Sequence, residues 1–503
     1  MKRFWILLLL LLPLFAGCHK PETPEEEKKE ETTPEETTPT EPQKPVEYVN
    51  VFGYNVMNVY YLWKKEISKG LSSWQTDDDP IEKVRAIRYK DSAGNDIDRW
   101  TMMTDDFESF NNSVSGVELT VGFDFMLMYW DDSYTQIVGI VTFVYANSPA
   151  EKAGLKRGDI FMTVDGVEMT VKNYSQVLTD SIYGDKTFKL AMSDGRAVSL
   201  TPVEMVEDAV NEVKVLESDG KKVGYLHYTS FTLLSLKGLM QAFAEFKAEG
   251  IDELVVDLRY NGGGYVTTCN VLGSIIAPLE AVNGKKVFSQ DIMNQLLTEE
   301  WGAQIDSLKP DFGAITVAKD GTKVNCPAAE VNSDLKRVYF LVSPDSASAS
   351  ESLICCLKPY MEVIVIGQQT HGKFCAGFMY GAEEWCEDVK GAFEAAEYEE
   401  ALSQAKNWGL YVMYARYADC NGVTLSMPNG IVPDIEAEDM PWKGDPLGDP
   451  KEPLLSIALA HMNGTYTQAG TRSADPGSLL VLPASEKPHR PGYGLLVKDL
   501  PRK

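Results

Sequence analysis

The chain is short of positive charge. Its 47 Lys and Arg face 74 Asp and Glu, a formal net charge of −27 over 503 residues. A phosphate backbone calls for a basic patch, so this balance argues against nucleic acid as the main partner and against simple electrostatic docking on anionic lipid. Long hydrophobic runs are missing as well. Phe4 to Phe15 is only twelve residues, where a bilayer-spanning helix needs about 20. Histidine is scarce, at five, and there is no His-Glu-x-x-His, no Gly-Lys-Ser/Thr and no Cys-x-x-Cys. Those absences speak against a zinc peptidase, a phosphate loop and a structural zinc, so no metal or organic cofactor is expected. With 39 Gly, 26 Pro and 44% hydrophobic residues, neither a fibrous nor a wholly disordered chain fits. The length suits about three domains of roughly 150 residues each.

Lys2 and Arg3 precede the apolar run, which ends in Phe15-Ala16-Gly17-Cys18. This resembles a bacterial lipobox, which implies that Cys18 is lipidated and becomes the mature N-terminus of an exported protein. The anchor would then be a lipid in a bacterial membrane, the outer membrane by expectation, with the protein facing the periplasm or the surface. The alternative is a plain secretory signal in which Cys18 is incidental. Residues 19–46 hold nine Glu, six Thr, six Pro and four Lys. Such a segment cannot bury enough surface to offset its ordering entropy and is expected to be a disordered acidic tether. Seven cysteines follow Cys18, an odd number that leaves at least one thiol unpaired, and most are expected to be small buried apolar residues.

Residues 47–115 are rich in Trp, Tyr and Met, with Phe52, Val56, Val59, Tyr60 and Trp63 at helical spacing. They predict a small N-terminal helical domain. Tyr134 to Tyr145 is a candidate strand. In Ser148-Pro149-Ala150-Glu151, a cap, a first-turn proline and an acid three residues on start a short helix, and Gly154 stops it. A strand from Phe161 to Val164 then meets an Asp165-Gly166 turn. From 206 onward strands and helices alternate, as in an α/β layered fold. Val223 to Tyr228, Glu253 to Leu258, Arg337 to Ser343 and Glu362 to Gly367 read as buried strands. Leu236, Leu239, Met240, Phe243 and Phe246 line one face of a helix between the first two. Beyond 464 the pattern dissolves into a loosely ordered tail.

Ser346-Ala347-Ser348-Ala349-Ser350-Glu351 follows one of those strands. In its plainest reading Ser348 caps a helix and Glu351 reaches back from the third position. The same junction also places Ser348 beside free backbone N–H groups and the positive end of the helix dipole, where an oxyanion could be held. A serine nucleophile needs a base. His227, His371 and His461 sit in no recognisable Ser-His-Asp context, whereas His371-Gly372-Lys373 follows the strand ending at Gly367. Lysine acts as a base only when neutral, which demands that burial bring its pKa down from about 10.4; Gly372, Phe374 and Cys375 suit such a pocket.

Two resemblances bring these pieces together. Residues 116–205, through Asn147 to Ile160, resemble a PDZ domain, a module that adds a peptide C-terminus as a strand to a sheet edge. The resemblance implies a carboxylate loop at Val121-Gly122-Phe123-Asp124-Phe125. The spacing from Ser348 to Lys373 and the run Asp257-Leu258-Arg259-Tyr260-Asn261-Gly262-Gly263-Gly264 resemble the C-terminal processing (tail-specific) Ser/Lys peptidases. That family implies Ser348 as nucleophile, Lys373 as general base, and Gly263 (or Gly264) with Ala349 as oxyanion donors. Many members carry a Gln four residues after the lysine, where this chain has Gly377.

The expected organisation is a signal peptide (1–18), the tether (19–46), the helical domain (47–115), the PDZ-like β-rich domain (116–205), a crotonase-like layered α/β peptidase domain (206–463) and the tail (464–503). The expected activity is that of a membrane-tethered serine endopeptidase acting on proteins or peptides with free apolar C-termini. The competing reading is a non-catalytic PDZ-containing lipoprotein that binds peptides or apolar ligands.

Overall fold

The computed structural model describes residues 45–130, 133–317, 321–425, 427–467, Leu482 and the backbone of Leu496–Val497. Cys18 and residues 19–44 of the tether lie outside the described residues. The chain divides into two compact units, one reaching Glu108 and including Met379–Tyr414, the other Ser109–Phe378 with 415 onward.

The first unit is built on the helix Glu47–Tyr60, in which twelve of fourteen residues are buried. A helix apolar on nearly every side needs cover on every side. Helix Ala395–Ala405 and helix Ala382–Asp388 supply part of it, with Trp385 against Phe52 at 5.7 Å. Strand Met102–Thr104 pairs antiparallel with Gly409–Tyr411. The sequence reading of 47–115 as a helical domain left out the 379–414 half, whose residues are more than 250 positions away and carry no periodic signal tying them to it.

In the second unit, strands Phe123–Tyr129, Ile137–Val144, Ile160–Val164, Phe188–Met192 and Ala197–Leu200 lie in that order in one sheet. Phe123–Tyr129 is therefore an edge strand. Helix Tyr174–Asp180 places Leu178 in the same apolar cluster as Phe125 and Leu127. Ser148 Oγ accepts from Glu151 N at 3.1 Å, as its sequence predicts, while the Glu151 carboxylate takes the N–H of Asn147 rather than that of the cap.

A six-stranded sheet follows, ordered Val210–Ser218, Lys221–Tyr228, Glu253–Asp257, Arg337–Val342, Glu362–Gly367, Ile435–Glu436. Its first pair is antiparallel and the rest are parallel. Strands of this kind are buried on both faces and read as continuous apolar runs, as Leu254-Val255-Val256 and Val338-Tyr339-Phe340-Leu341 do. Helix Leu236–Glu249 covers one face with Leu236, Leu239, Ala242, Phe243 and Phe246, and Met240 is half-buried. Helix Ala349–Leu357 links two neighbouring parallel strands.

Candidate active site

Glu253–Asp257, Arg337–Val342 and Glu362–Gly367 are consecutive parallel neighbours. Their carboxyl ends therefore emerge side by side, the usual place for a ligand in a parallel sheet. The loops that leave them carry Gly263, Ser348 and Lys373 in turn.

The glycine loop is fixed by a buried ionic cluster. Arg259 is completely buried and donates from Nε and Nη2 to the Asp257 carboxylate, the shortest contact being 2.6 Å, and from Nη1 to Asp439 at 2.9 Å and Glu452 at 2.6 Å. Burial alone would raise the Asp257 carboxyl, but the guanidinium bonded to it holds it down at about 2. Arg157, between strands Ile137–Val144 and Ile160–Val164, enters the same cluster, donating to Asp439 at 2.6 Å and to the Tyr260 hydroxyl at 2.6 Å. Charges taken this far from water are tolerable only when paired and hydrogen-bonded throughout.

Asn261 then ties the glycine loop to the serine loop. Its carbonyl accepts from Ala347 N at 3.1 Å and Ser350 Oγ at 2.9 Å, and its side chain donates to the Tyr228 carbonyl at 2.9 Å. Gly263 has φ +115°, open only to glycine, and a Cβ there would lie 2.8 Å from Ser348 Cβ and 3.1 Å from Ala349 N. A Cβ at Gly264 would instead meet the Phe231 carbonyl. Gly263 is thus the glycine packed against Ser348, although its N–H donates to Asn261 Oδ1 at 2.9 Å.

The three serines of the run differ sharply. Ser346 Oγ donates to the Leu258 carbonyl at 2.7 Å and Ser350 Oγ to the Asn261 carbonyl. Ser348 Oγ is buried with no hydrogen-bond partner among the described residues. Its φ of +61° is strained for a residue with a Cβ, and such strain gathers at functional sites. Ala349 opens the helix, so its N–H lacks an intrahelical acceptor.

Glu351 does much more than cap. Its carboxylate accepts from Ser348 N (2.9 Å), Lys373 N (2.9 Å), Gly372 N (2.8 Å) and Thr370 Oγ1 (2.5 Å). Burial raises its pKa, and these four donors offset part of the rise. On the other side of the pair, the Tyr417 hydroxyl reaches the carbonyls of Ser348 at 3.1 Å and Lys373 at 3.2 Å. Lys373 is fully buried, between Gly372 and the buried Phe374. Gly377 adds no side chain here, and Glu351 and Tyr417 are what hold the Lys373 backbone. Glu351 was visible in the sequence only as a capping acid. Nothing local marked Thr370 or Tyr417, which arrive from other segments.

Two of the sequence histidines are engaged elsewhere. His227 Nδ1 accepts from Asn211 at 3.0 Å and its ring packs on Phe143 and Tyr260, while His461 Nδ1 lies 3.0 Å from the Tyr339 hydroxyl. His371 donates its backbone N–H to the Ser346 carbonyl. The seven described cysteines are all free thiols, five of them buried. The loop Val121–Phe125 turns from strand Val117–Thr120 into the edge strand; Gly122 has φ +77° and its N–H meets Thr120 Oγ1 at 3.0 Å.

Residues 222–437 match the sequence model of peptidase family S41, and residues 140–181 match that of a PDZ domain. The stretch that matches the S41 model follows the one that matches a PDZ domain. Similar curated proteins include a "Probable CtpA-like serine protease" of Staphylococcus epidermidis, 27% identical over 331 residues, 66% of this chain and 57% of that protein. A Staphylococcus aureus protein of the same name is 26% identical over 266 residues, 53% of this chain and 46% of its own length. The chain thus spans about half the length of these curated relatives. The crystal structure of a "Putative S41 protease" from Bacteroides fragilis shares the fold, with a TM-score of 0.61 at 22% identity over 83% of this chain and 98% of that one. The S41-like stretch holds the serine, lysine and glycine loops, and Arg157, inside the PDZ-like stretch, reaches its buried ionic cluster.

Proposed function

We propose that the chain is a serine endopeptidase that cleaves exported proteins or peptides, taking hold of apolar C-terminal tails through its PDZ domain. The observation that carries this reading is the contrast among the three serines: two hydroxyls are committed to neighbouring carbonyls, and the one between them is left unbonded beside a buried lysine loop. Burial disfavours the ammonium form of an amine, which suits Lys373 to take the Ser348 proton. Ser348 Oγ then attacks the scissile carbonyl and the acyl-enzyme forms as the amine leaves with that proton. Lys373 next activates water for deacylation. The Ala349 N–H and a glycine N–H of the Gly263–Gly264 turn receive the oxyanion; at Gly263 the oxyanion replaces Asn261 Oδ1 as acceptor. No metal or organic cofactor enters this scheme.

The substrate is held by strand addition to the edge Phe123–Tyr129, with its terminal carboxylate at Val121-Gly122-Phe123-Asp124-Phe125. A lipid on Cys18 would keep the enzyme at a membrane, with residues 19–46 as its tether. Lys373→Ala tests the division of labour. Turnover should fall by at least 10³-fold, while a labelled peptide with a free apolar C-terminus still binds with unchanged affinity. Full turnover in this variant removes Lys373 from the mechanism.

A further inference from the structure

Two short stretches beyond residue 467 come back onto the parts of the molecule proposed to handle peptide. Leu482 is 3% exposed and belongs to the PDZ apolar cluster with Phe125, Leu127 and Leu178, against which Tyr174 and Val177 also pack. Its backbone N–H donates to the Leu127 carbonyl at 2.9 Å. Leu127 lies on the edge strand, whose outer carbonyls are otherwise a template for an added chain. Leu482 thus meets two demands of a strand-adding ligand, a main-chain bond to the edge and an apolar side chain buried in the cluster that edge strand and helix share. Fourteen residues later, Leu496–Val497 lies as a strand between Gly264–Tyr265 and Gly377, parallel to both. Those are the residue after the Gly263 turn and the residue four past Lys373. Ser348 and Lys373 are fully buried.

We propose that Leu482 and Leu496–Val497 act as an intramolecular ligand of their own enzyme, Leu482 filling the PDZ peptide groove and Leu496–Val497 lying beside the glycine and lysine loops of the catalytic site. The catalytic half of this proposal rests on the peptidase reading; the PDZ half does not. A tethered ligand acts at an effective concentration of about 1 mM. An intrinsic affinity of only about 0.1 mM therefore fills the groove roughly nine-tenths of the time and weakens binding of an outside peptide about tenfold. Only a tail that binds better than the protein's own displaces it, so the device selects substrates as well as restraining the enzyme.

The test uses the full chain carrying Ser348→Ala, with a fluorescent peptide that ends in three apolar residues and a free carboxylate. Adding Leu482→Asp should lower the dissociation constant about tenfold, Leu482→Ala should do so by less, and Leu482→Met should leave it unchanged. A synthetic peptide of residues 477–500 should displace the label from the Leu482→Asp variant, and the same peptide bearing Asp at 482 should not. With Ser348 restored, kcat/KM of the Leu482→Asp variant should rise by the same factor. Equal affinity in all variants, or no binding in any, overturns the proposal. Tighter binding without cleavage in any variant leaves the tail ligand standing and removes the peptidase reading instead. Should Leu482→Asp unfold the PDZ domain, the Leu482→Ala comparison and the peptide displacement, run on that variant, decide the matter.

Discussion

Ser348 and Lys373, 25 residues apart in the chain, donate their backbone N–H groups to the same oxygen, Glu351 Oε2, each at 2.9 Å. One buried carboxylate thereby ties the backbones of the proposed nucleophile and base together, and the Tyr417 hydroxyl closes the pair from the carbonyl side. In the proposed mechanism this arrangement fixes the pair without the side chain that is absent at Gly377.

Glu351 should therefore act as a positioning residue. Glu351→Gln keeps the shape but turns one acceptor oxygen into a donor facing N–H groups. We expect kcat to fall 10- to 100-fold with KM within about twofold. Glu351→Ala leaves several buried donors unpaired, at about 1–3 kcal/mol each, and should unfold at a much lower denaturant midpoint. Parallel kinetics and urea denaturation of both variants separate the two effects.

The three serines give opposite signatures. Ser346→Ala strips the acceptor from Ser343 N and the donor from the Leu258 carbonyl. It should cost about 1–3 kcal/mol of stability while retaining activity within tenfold. Ser348→Ala should abolish turnover and leave stability unchanged or slightly raised, because its buried hydroxyl has no bond to lose. Urea melts set beside turnover for each variant check this.

Gly263→Ala places a methyl 2.8 Å from Ser348 Cβ at a φ of +115°. It should remove at least 10³-fold of kcat, by filling the space where an oxyanion would form, in a protein that still folds. Circular dichroism and steady-state kinetics on this variant are the measurement.

Much of this arrangement was readable in advance. The strands Val223–Tyr228, Glu253–Leu258 and Glu362–Gly367 announced themselves as apolar runs because parallel strands are buried on both faces. The Ser348 and Lys373 loops follow strands that turn out to be neighbours. The partners were harder to see. Asp439 and Glu452 meet Arg259 from 180 and 193 residues away, and Arg157 joins them through Asp439, 282 residues from it; no local period encodes such a meeting. The pairing of Leu496–Val497 was invisible for the same reason, since two residues of strand carry no pattern of their own.

His227 offers a check through pH. Burial pushes its imidazole from 6.5 down to about 4. The folded state therefore takes up this proton only at lower pH than the unfolded chain does. The corresponding stability is present above pH 6.5 and is lost as pH falls toward 4, roughly 3 kcal/mol in all. Unfolding free energy measured from pH 7.5 to 4 should fall along this course, and His227→Phe should flatten it. Asp257, held at about 2 by Arg259, titrates below that window.

The most direct test of the central claim is cleavage itself. The wild-type protein and its Ser348→Ala variant are incubated with peptides ending in an apolar tail, with the terminus either free or amidated, and the products are followed by mass spectrometry. Wild type should cleave the free-ended peptide faster than the amide, and Ser348→Ala should cleave neither. Equal cleavage by both proteins, or by neither, contradicts that claim.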